Sequence, residues 1–591
     1  MSRDGRKAPT RSSGAAAGDV RKLLAMAATR QNEGRPNEAV KILRQVIAQH
    51  PGHAAAYDAI ATAYQALGRT QDAISHFKEA ISLGLLNVEA LVKQSPAVMT
   101  ALGRQAFAWP RPLSLGDLIG PNTTGSVRGD GLLLALLETR PICDLELERL
   151  LTAIRAALLR DLLREPMNES VHHWFDLACA LAHQCFMNEY VFALSASEQG
   201  ESRELLQRVG SAIETGTGIV PIELGIVGCY VPLHRLPLAE KLAARPWPKT
   251  LDTLLTVQLR EPLSELADRA SIPVLTEVHD PVSRMVRDQY EENPYPRWIV
   301  PQPVEPKSLQ TFLYEQFAFT DTISSEPDIL IAGCGTGEHS IEVARRFPRA
   351  KLLAIDINRN GLAYARRKSR EMGLSNIEYA VADILDLGSI DRRFDLIEAV
   401  GVLHHLTDPQ TGWRVLLSLL RPGGVMRIGL YSALGRQQLD AGRELIAERG
   451  YQPSTDEIRN WRQDLIRRNL PVASSDFFTT SGCRDLCFNV MEHRFALPQI
   501  KAFLEANRLT LLGMEAPAEV EEEFTKRYPG FDAKTDLDRW DELERSHPNA
   551  FQGMYFFWVR CTTSVATLVC MQHAAPLFRM ARHLSLMAMA A

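Results

Sequence analysis

Three glycines at alternate positions, Gly333, Gly335 and Gly337, directly follow the apolar run Ile329 to Ala332. Such a run reads as a buried parallel strand. Glycines just past it let the backbone turn tightly and lie against a ligand. Residues 338–347 continue as a helix with Ile341, Ala344 and Phe347 on one face. The free N–H groups that open this helix make a seat for an anion such as a carboxylate or a phosphate. Asp356 stands near the carboxyl end of a second strand, Lys351 to Ile357, roughly 20 residues past the turn. An acid there accepts hydrogen bonds from ribose hydroxyls; the alternative is a solvated strand-end acid. Asp383 ends a third strand, Ile377 to Ala382, and His404 and His405 follow a fourth, Phe394 to Val400. A neutral imidazole in that place can take the proton of an acceptor hydroxyl or ammonium. Equally, the two histidines can serve only to shape a pocket.

These residues need a scaffold that brings strand ends together, and the pattern around them supplies one. A helix over 358–372 closes at Gly373, and a helix over 412–420 leads through Arg421-Pro422-Gly423-Gly424 into a fifth strand, Val425 to Tyr431. Strand and helix alternate, which predicts a doubly wound α/β fold with a parallel sheet and the ligand at the carboxyl ends of the strands. A helix over 497–507 and strands over 509–515 and 553–560 read as the closing antiparallel part. The catalytic core is thus expected over 285–561, with an insertion at 432–496.

The motifs resemble class I S-adenosylmethionine-dependent methyltransferases: the Gly333/Gly335/Gly337 loop, Asp356 ending strand two, Asp383 after strand three, and Val402-Leu403-His404-His405 after strand four. The resemblance implies a Rossmann-like seven-stranded sheet and S-adenosyl-L-methionine as cofactor. Gly333, Cys334, Gly335, Thr336 and Gly337 would hold its methionine end. Asp356 beside Ile357 would hold the ribose, and Asp383 with Ile384 would frame the adenine. Ile331 departs from the family, which often has an acid two residues before the first glycine; the contact to the methionyl ammonium must then come from elsewhere. A nicotinamide-binding fingerprint would place a third glycine where this chain has Glu338.

Just before the core, Tyr290 to Trp298 carries two prolines and reads as a stiff, extended lid over cofactor or substrate, with Tyr290, Asn293, Tyr295, Arg297 and Trp298 as its contacts. The alternative is a domain-joining strap. Asn293-Pro294-Tyr295 is similar to the Asn-Pro-Pro-Tyr site of amide and base N-methyltransferases. That site follows strand four, where this chain has Glu398-Ala399-Val400-Gly401. In the insertion, Phe477-Phe478-Thr479 and Glu492-His493-Arg494-Phe495 read as a cover for the acceptor.

The remainder is ordinary globular sequence: 591 residues, 46% hydrophobic, net charge −5. That balance gives no reason to expect nucleic acid. Nine cysteines without regular spacing read as reduced thiols of a cytoplasmic protein. Cys483, Cys487 and His493 lack the fourth ligand and close pair of a zinc site, so no metal is expected. Residues 1–18 read as a disordered tail and 562–591 as a loose tail, with no membrane span. Over 19–95, Gly34 and Gly68, Ala39 and Ala73, and Ala27 and Ala61 are each 34 residues apart. With Tyr57, Tyr64, Phe77 and Ala80 they resemble tetratricopeptide (TPR) repeats, which implies protein docking or self-association. The array must be capped by the next region or by a second copy. Residues 96–130 read as a linker and 131–280 as a mostly helical accessory domain, whose His172, His173 and His183 read as packing residues. Three function classes stay open: a methyltransferase acting on a small-molecule or protein acceptor, a binding module whose degenerate methyltransferase fold only holds the cofactor or a partner, and a TPR scaffold with a structural fold attached.

Overall fold

The computed structural model describes residues 13–561, except 86, 109–110, 120–126, 165–171, 217, 302 and 471. The tail expected over 562–591 lies outside the described residues, as do residues 1–12 of the N-terminal one. From Ser13 the chain is already helical. The chain divides into two units, Met1–Pro262 with Trp298–Pro303, and Leu263–Arg297 with Val304–Ala591.

In the first unit, α1 (Ser13–Asn32), α2 (Pro36–Gln49), α3 (Ala54–Ala66) and α4 (Thr70–Ser82) form two helical hairpins. Gly34 and Gly68 turn between helices with φ of +72° and +71°, so the 34-residue period is also a backbone period. Ala27, Ala39, Ala61 and Ala73 are fully buried, as the close approach of helices requires. The cap is internal. The helix Gly131–Thr139 lies on α4 so closely that a Cβ at Gly131 would stand 3.2 Å from that of Ala73. The expected linker is not a plain loop: Pro96–Ala108 and Leu115–Ile119 are helical. Farther on, Arg155 and Glu198 form a buried ion pair at 2.9 Å, closed by the Tyr230 hydroxyl at 2.7 Å from Glu198. His172 and His173 are exposed, and His183 is buried.

The second unit is built on one seven-stranded sheet in the order β3-β2-β1-β4-β5-β7-β6. The strands are β1 (Asp328–Ala332), β2 (Lys351–Asp356), β3 (Ile377–Val381), β4 (Phe394–Val400), β5 (Leu420–Tyr431), β6 (Leu509–Glu515) and β7 (Met554–Cys561). Strands β1 to β5 pair in parallel, and β7 is antiparallel to both β5 and β6. The central strands are buried on both faces, which is why they read as continuous apolar runs. Ile329, Ile331, Leu352 and Leu396 pack toward Leu313, Val343 and Leu362. Leu330, Leu353, Ile397 and Met426 pack toward Trp413, Ile500, Phe503 and Trp540 on the other face.

Two boundaries differ from the pattern. The helix expected from residue 412 begins at Pro409, because Asp408 caps it by accepting the N–H groups of Gln410 and Thr411. The Arg421–Gly424 turn is absorbed into β5 as an irregularity, the register jumping from Phe394↔Leu420 to Leu396↔Val425. The insertion is helical, with Asp440–Arg449, Thr455–Arg467 and Thr480–Cys487.

Candidate active site

The glycine loop leaves β1 and enters the helix Glu338–Arg346. Gly333 and Cys334 both donate to the Ile355 carbonyl, at 2.9 and 3.0 Å, which ties the loop to β2. Gly333 and Gly335 have φ of +75° and +52°. A Cβ at Gly333 would lie 2.5 Å from that of Val402, and one at Gly335 would lie 2.5 Å from the Tyr295 carbonyl oxygen. Both sites therefore demand glycine on two counts, dihedral angle and space. Asp356 bridges the turn: Oδ2 accepts the Gly335 N–H and Oδ1 the Asn358 N–H, each at 2.8 Å. Burial raises the pKa of its carboxyl against these hydrogen bonds. The Asp356 predicted for a ribose thus also holds the loop.

On the neighbouring strand ends, Ile357 is half-buried and, with Thr276, Val381 and Arg359, borders a cleft of about 220 Å³. Asp383 and Ile384 are buried. Asp383 caps the next turn through Leu385 N–H at 2.9 Å, and its own N–H reaches Thr276 Oγ1 at 2.8 Å. Burial raises the pKa of its carboxyl.

The strap lies on the loop. Thr336 Oγ1 donates to the Pro296 carbonyl. Asn358 and Asn360 donate to the carbonyls of Tyr290 and Glu291, at 3.0 and 2.7 Å. Asn293 is half-buried, and its side-chain oxygen is buried without a hydrogen-bond partner; Arg297 is half-buried. Trp298 falls in the first unit.

His404 and His405 sit on a single 3-10 turn, Leu403–His405, and both are buried. The His404 ring stacks on Tyr431 with centroids 3.6 Å apart. Burial, and then His405 and Arg436, hold its pKa well below the usual histidine range, so it is neutral. His405 is held by its Nδ1, 2.7 Å from the Met491 carbonyl, which leaves Nε2 facing Asp485 at 3.7 Å. The Nδ1–H donates there, and Nε2 is left without a hydrogen-bond partner among the described residues.

Around His405 the expected lid residues Tyr290 and Tyr295 meet Tyr431, Asp476 and Asp485, which the sequence does not single out. The Tyr290 and Tyr431 hydroxyls donate to the two oxygens of Asp485, at 2.6 and 2.7 Å, and Tyr295 donates to Asp476 at 3.0 Å. Burial, and then Asp485 beside it, push the Asp476 carboxyl up to about 6. Phe477 and Phe478, expected to cover an acceptor, are buried, and Phe477 packs edge-on against Trp461 inside the insertion. Glu492 is tied to Arg436 at 2.7 Å and to Arg443.

A second cavity of about 410 Å³ is lined by Phe312, Phe317, His339, Glu398, Arg427 and Trp558 among others. Glu398 lies against His339 Nε2 at 2.5 Å and Arg427 at 3.3 Å. Arg427 also pairs with Glu515 at 2.7 Å.

A glycine turn on a doubly wound sheet, with acids ending the next two strands, defines a class of nucleotide-cofactor folds. Comparison with known proteins narrows it. Residues 323–463 match a methyltransferase domain model, and residues 19–84 match a tetratricopeptide repeat model. An uncharacterized protein of Synechococcus sp. is 29% identical over 271 residues, 42% of this chain and 64% of that protein. The methyltransferase GfsG of Streptomyces halstedii is 28% identical over 169 residues, 27% of this chain and 58% of GfsG. The solved structure of PKMT2 from Rickettsia typhi aligns at 15% identity and a TM-score of 0.32, covering 44% of this chain and 55% of that one. The chain thus spans less than two thirds of the length of these relatives. Residues 323–463 thus carry a methyltransferase domain, and residues 19–84 tetratricopeptide repeats.

Proposed function

We propose that this chain transfers a methyl group from S-adenosylmethionine to an acceptor enclosed between the strap, the insertion and the carboxyl ends of β4 and β5. The observation that carries the reading is the glycine loop, clamped to Asp356 at one end and packed on Val402 at the other. The residues present suit the cofactor. The N-terminal N–H groups of the helix Glu338–Arg346 suit its carboxylate, Asp356 its ribose hydroxyls, and Ile357 with Asp383 and Ile384 its base. The sulfonium supplies an already reactive methyl group, so the chain's task is placement and proton removal. Of the two histidines, His405 suits the role of base, since its Nε2 faces the acidic cluster, whereas His404 is spent on the stack with Tyr431.

The repeats serve as a protein-docking arm in this reading, and the protein works in the cytoplasm. Among the described residues, no helix is long and apolar enough to cross a membrane.

Calorimetry of the full chain with S-adenosylmethionine and with S-adenosylhomocysteine tests the reading. Binding of both at about micromolar Kd is expected. Absence of heat with either one, at protein concentrations near 100 µM suited to such a Kd, overturns it.

A further inference from the structure

We propose that the acceptor is an amine, held as its ammonium between the carboxylates of Asp476 and Asp485 and walled by Tyr290, Tyr295 and Tyr431. This rests on the methyltransferase reading above and adds the class of acceptor to it.

Four segments converge here: the strap with Tyr290 and Tyr295, the end of β5 with Tyr431, the turn with His405, and the insertion with Asp476 and Asp485. Tyr295 joins the two ends of the site. Its carbonyl lies over Gly335, and its hydroxyl reaches Asp476 at 3.0 Å. Tyr290, Tyr295 and Asp476 keep some accessible surface, yet burial is the first cause raising the pKa of each. The three thus stand at the partly open edge of a desolvated cluster.

The charge of that cluster is unbalanced. Among the described residues no lysine or arginine is ion-paired with Asp476 or Asp485; their partners are the tyrosine hydroxyls, Ser474 and Asn489. The nearby Arg436 is itself paired with Glu492. Two carboxylates in one desolvated space repel each other, and a cation between them removes the repulsion. A hydroxyl, thiol or carboxylate acceptor does not. Tyrosine faces suit an ammonium as well.

A separate observation points to the same place. His405 is 5% exposed, and its Nε2 has no hydrogen-bond partner although it faces Asp485 at 3.7 Å. An N–H donor entering there completes it. The step balances as follows. The ammonium gives one proton to His405 Nε2. The freed nitrogen lone pair bonds to the methyl carbon as the carbon–sulfur bond breaks, and that electron pair stays on sulfur. The products are the N-methylated ammonium and the thioether, and His405 returns its proton to water.

The test uses the full-length protein, CD3-labelled S-adenosylmethionine and an extract of the source cells, with the labelled product located by mass spectrometry. The label is expected on nitrogen. Transfer by Asp476→Asn and by Asp485→Asn should fall at least tenfold, with cofactor affinity by calorimetry unchanged. Tyr295→Phe, which keeps the packing, should lower transfer in the same direction. Label on oxygen, sulfur or carbon overturns the proposal. So does the absence of any labelled product from a protein that binds the cofactor, or a loss of cofactor affinity in the two Asn variants, which would put these carboxylates on the cofactor instead. A wild type that does not bind the cofactor removes the methyltransferase reading and this proposal together.

Discussion

The carboxylate of Asp356 accepts the main-chain N–H of Gly335 at 2.8 Å. One acid thus holds the glycine turn in shape while its other oxygen holds Asn358 at the start of the next helix. Asp356→Ala is expected to weaken cofactor binding by about 1.5–3 kcal/mol, the cost of hydrogen bonds lost to a charged group. Calorimetry reads the change directly. An unaltered Kd would make Asp356 a purely structural clamp.

The two histidines separate by function. His405→Ala should lower turnover by about 10²- to 10⁴-fold with little change in cofactor affinity. His404→Ala should instead act on stability, since it removes a ring stacked on Tyr431 in a closed core. The depressed His404 pKa has its own signature. A buried neutral imidazole binds no proton while the unfolded one does, so its contribution is complete above the unfolded pKa of about 6.5 and is lost as pH falls below it. Thermal melts of both variants between pH 5 and 8 check this (a range chosen to bracket about 6.5). Equal turnover losses at the two positions would contradict the separation.

Glu398 lies in β4 with its pKa pulled down to about 2, because His339 and then Arg427 outweigh the burial that would raise it. A depressed carboxyl contributes stability that is present above its unfolded value, 4.5, and is lost as pH falls toward 2. Glu398→Gln should cost roughly 2–4 kcal/mol at neutral pH and flatten the acid limb of the stability curve. Denaturant titrations at pH 7 and in the acid range measure both. A variant as stable as wild type at pH 7 would show that Glu515 alone satisfies Arg427.

Asp476 has the opposite sign. Its carboxyl is raised from 3.8 to about 6, so the folded state holds the proton more tightly and stability falls as pH rises through that window. Asp476→Asn keeps the shape and should be more stable than wild type above pH 6 by roughly 1–3 kcal/mol, with the difference vanishing below about pH 4. Paired denaturation curves at the two ends of the window decide it. A variant gaining stability while losing transfer would mark Asp476 as a residue kept for function.

Local pattern determined much of this protein. Alternate glycines after an apolar run can only be a turn off a buried strand, and Asp356 and Asp383 are legible because they end the next two strands. The parallel, doubly wound sheet follows from the alternation of strand and helix, and the repeats from a 34-residue period that the φ of Gly34 and Gly68 repeats. Local pattern did not reveal that residues 96–108 are helical, because Gly, Pro, Ser and Thr nearby mask the apolar face that packs. It pointed to Phe477 and Phe478 as a cover for the acceptor, but they fill the core of the insertion instead. The cluster where the strap meets the insertion was beyond its reach. Tyr290 meets Asp485 across 195 residues and Tyr295 meets Asp476 across 181. A contact of that separation leaves no periodicity in either segment. An acid on a polar helix reads as solvated until the fold closes over it. Which histidine faces the acids was likewise decided only in three dimensions, by Met491 taking one edge of His405 and turning its Nε2 toward Asp485, while Tyr431 takes the face of His404.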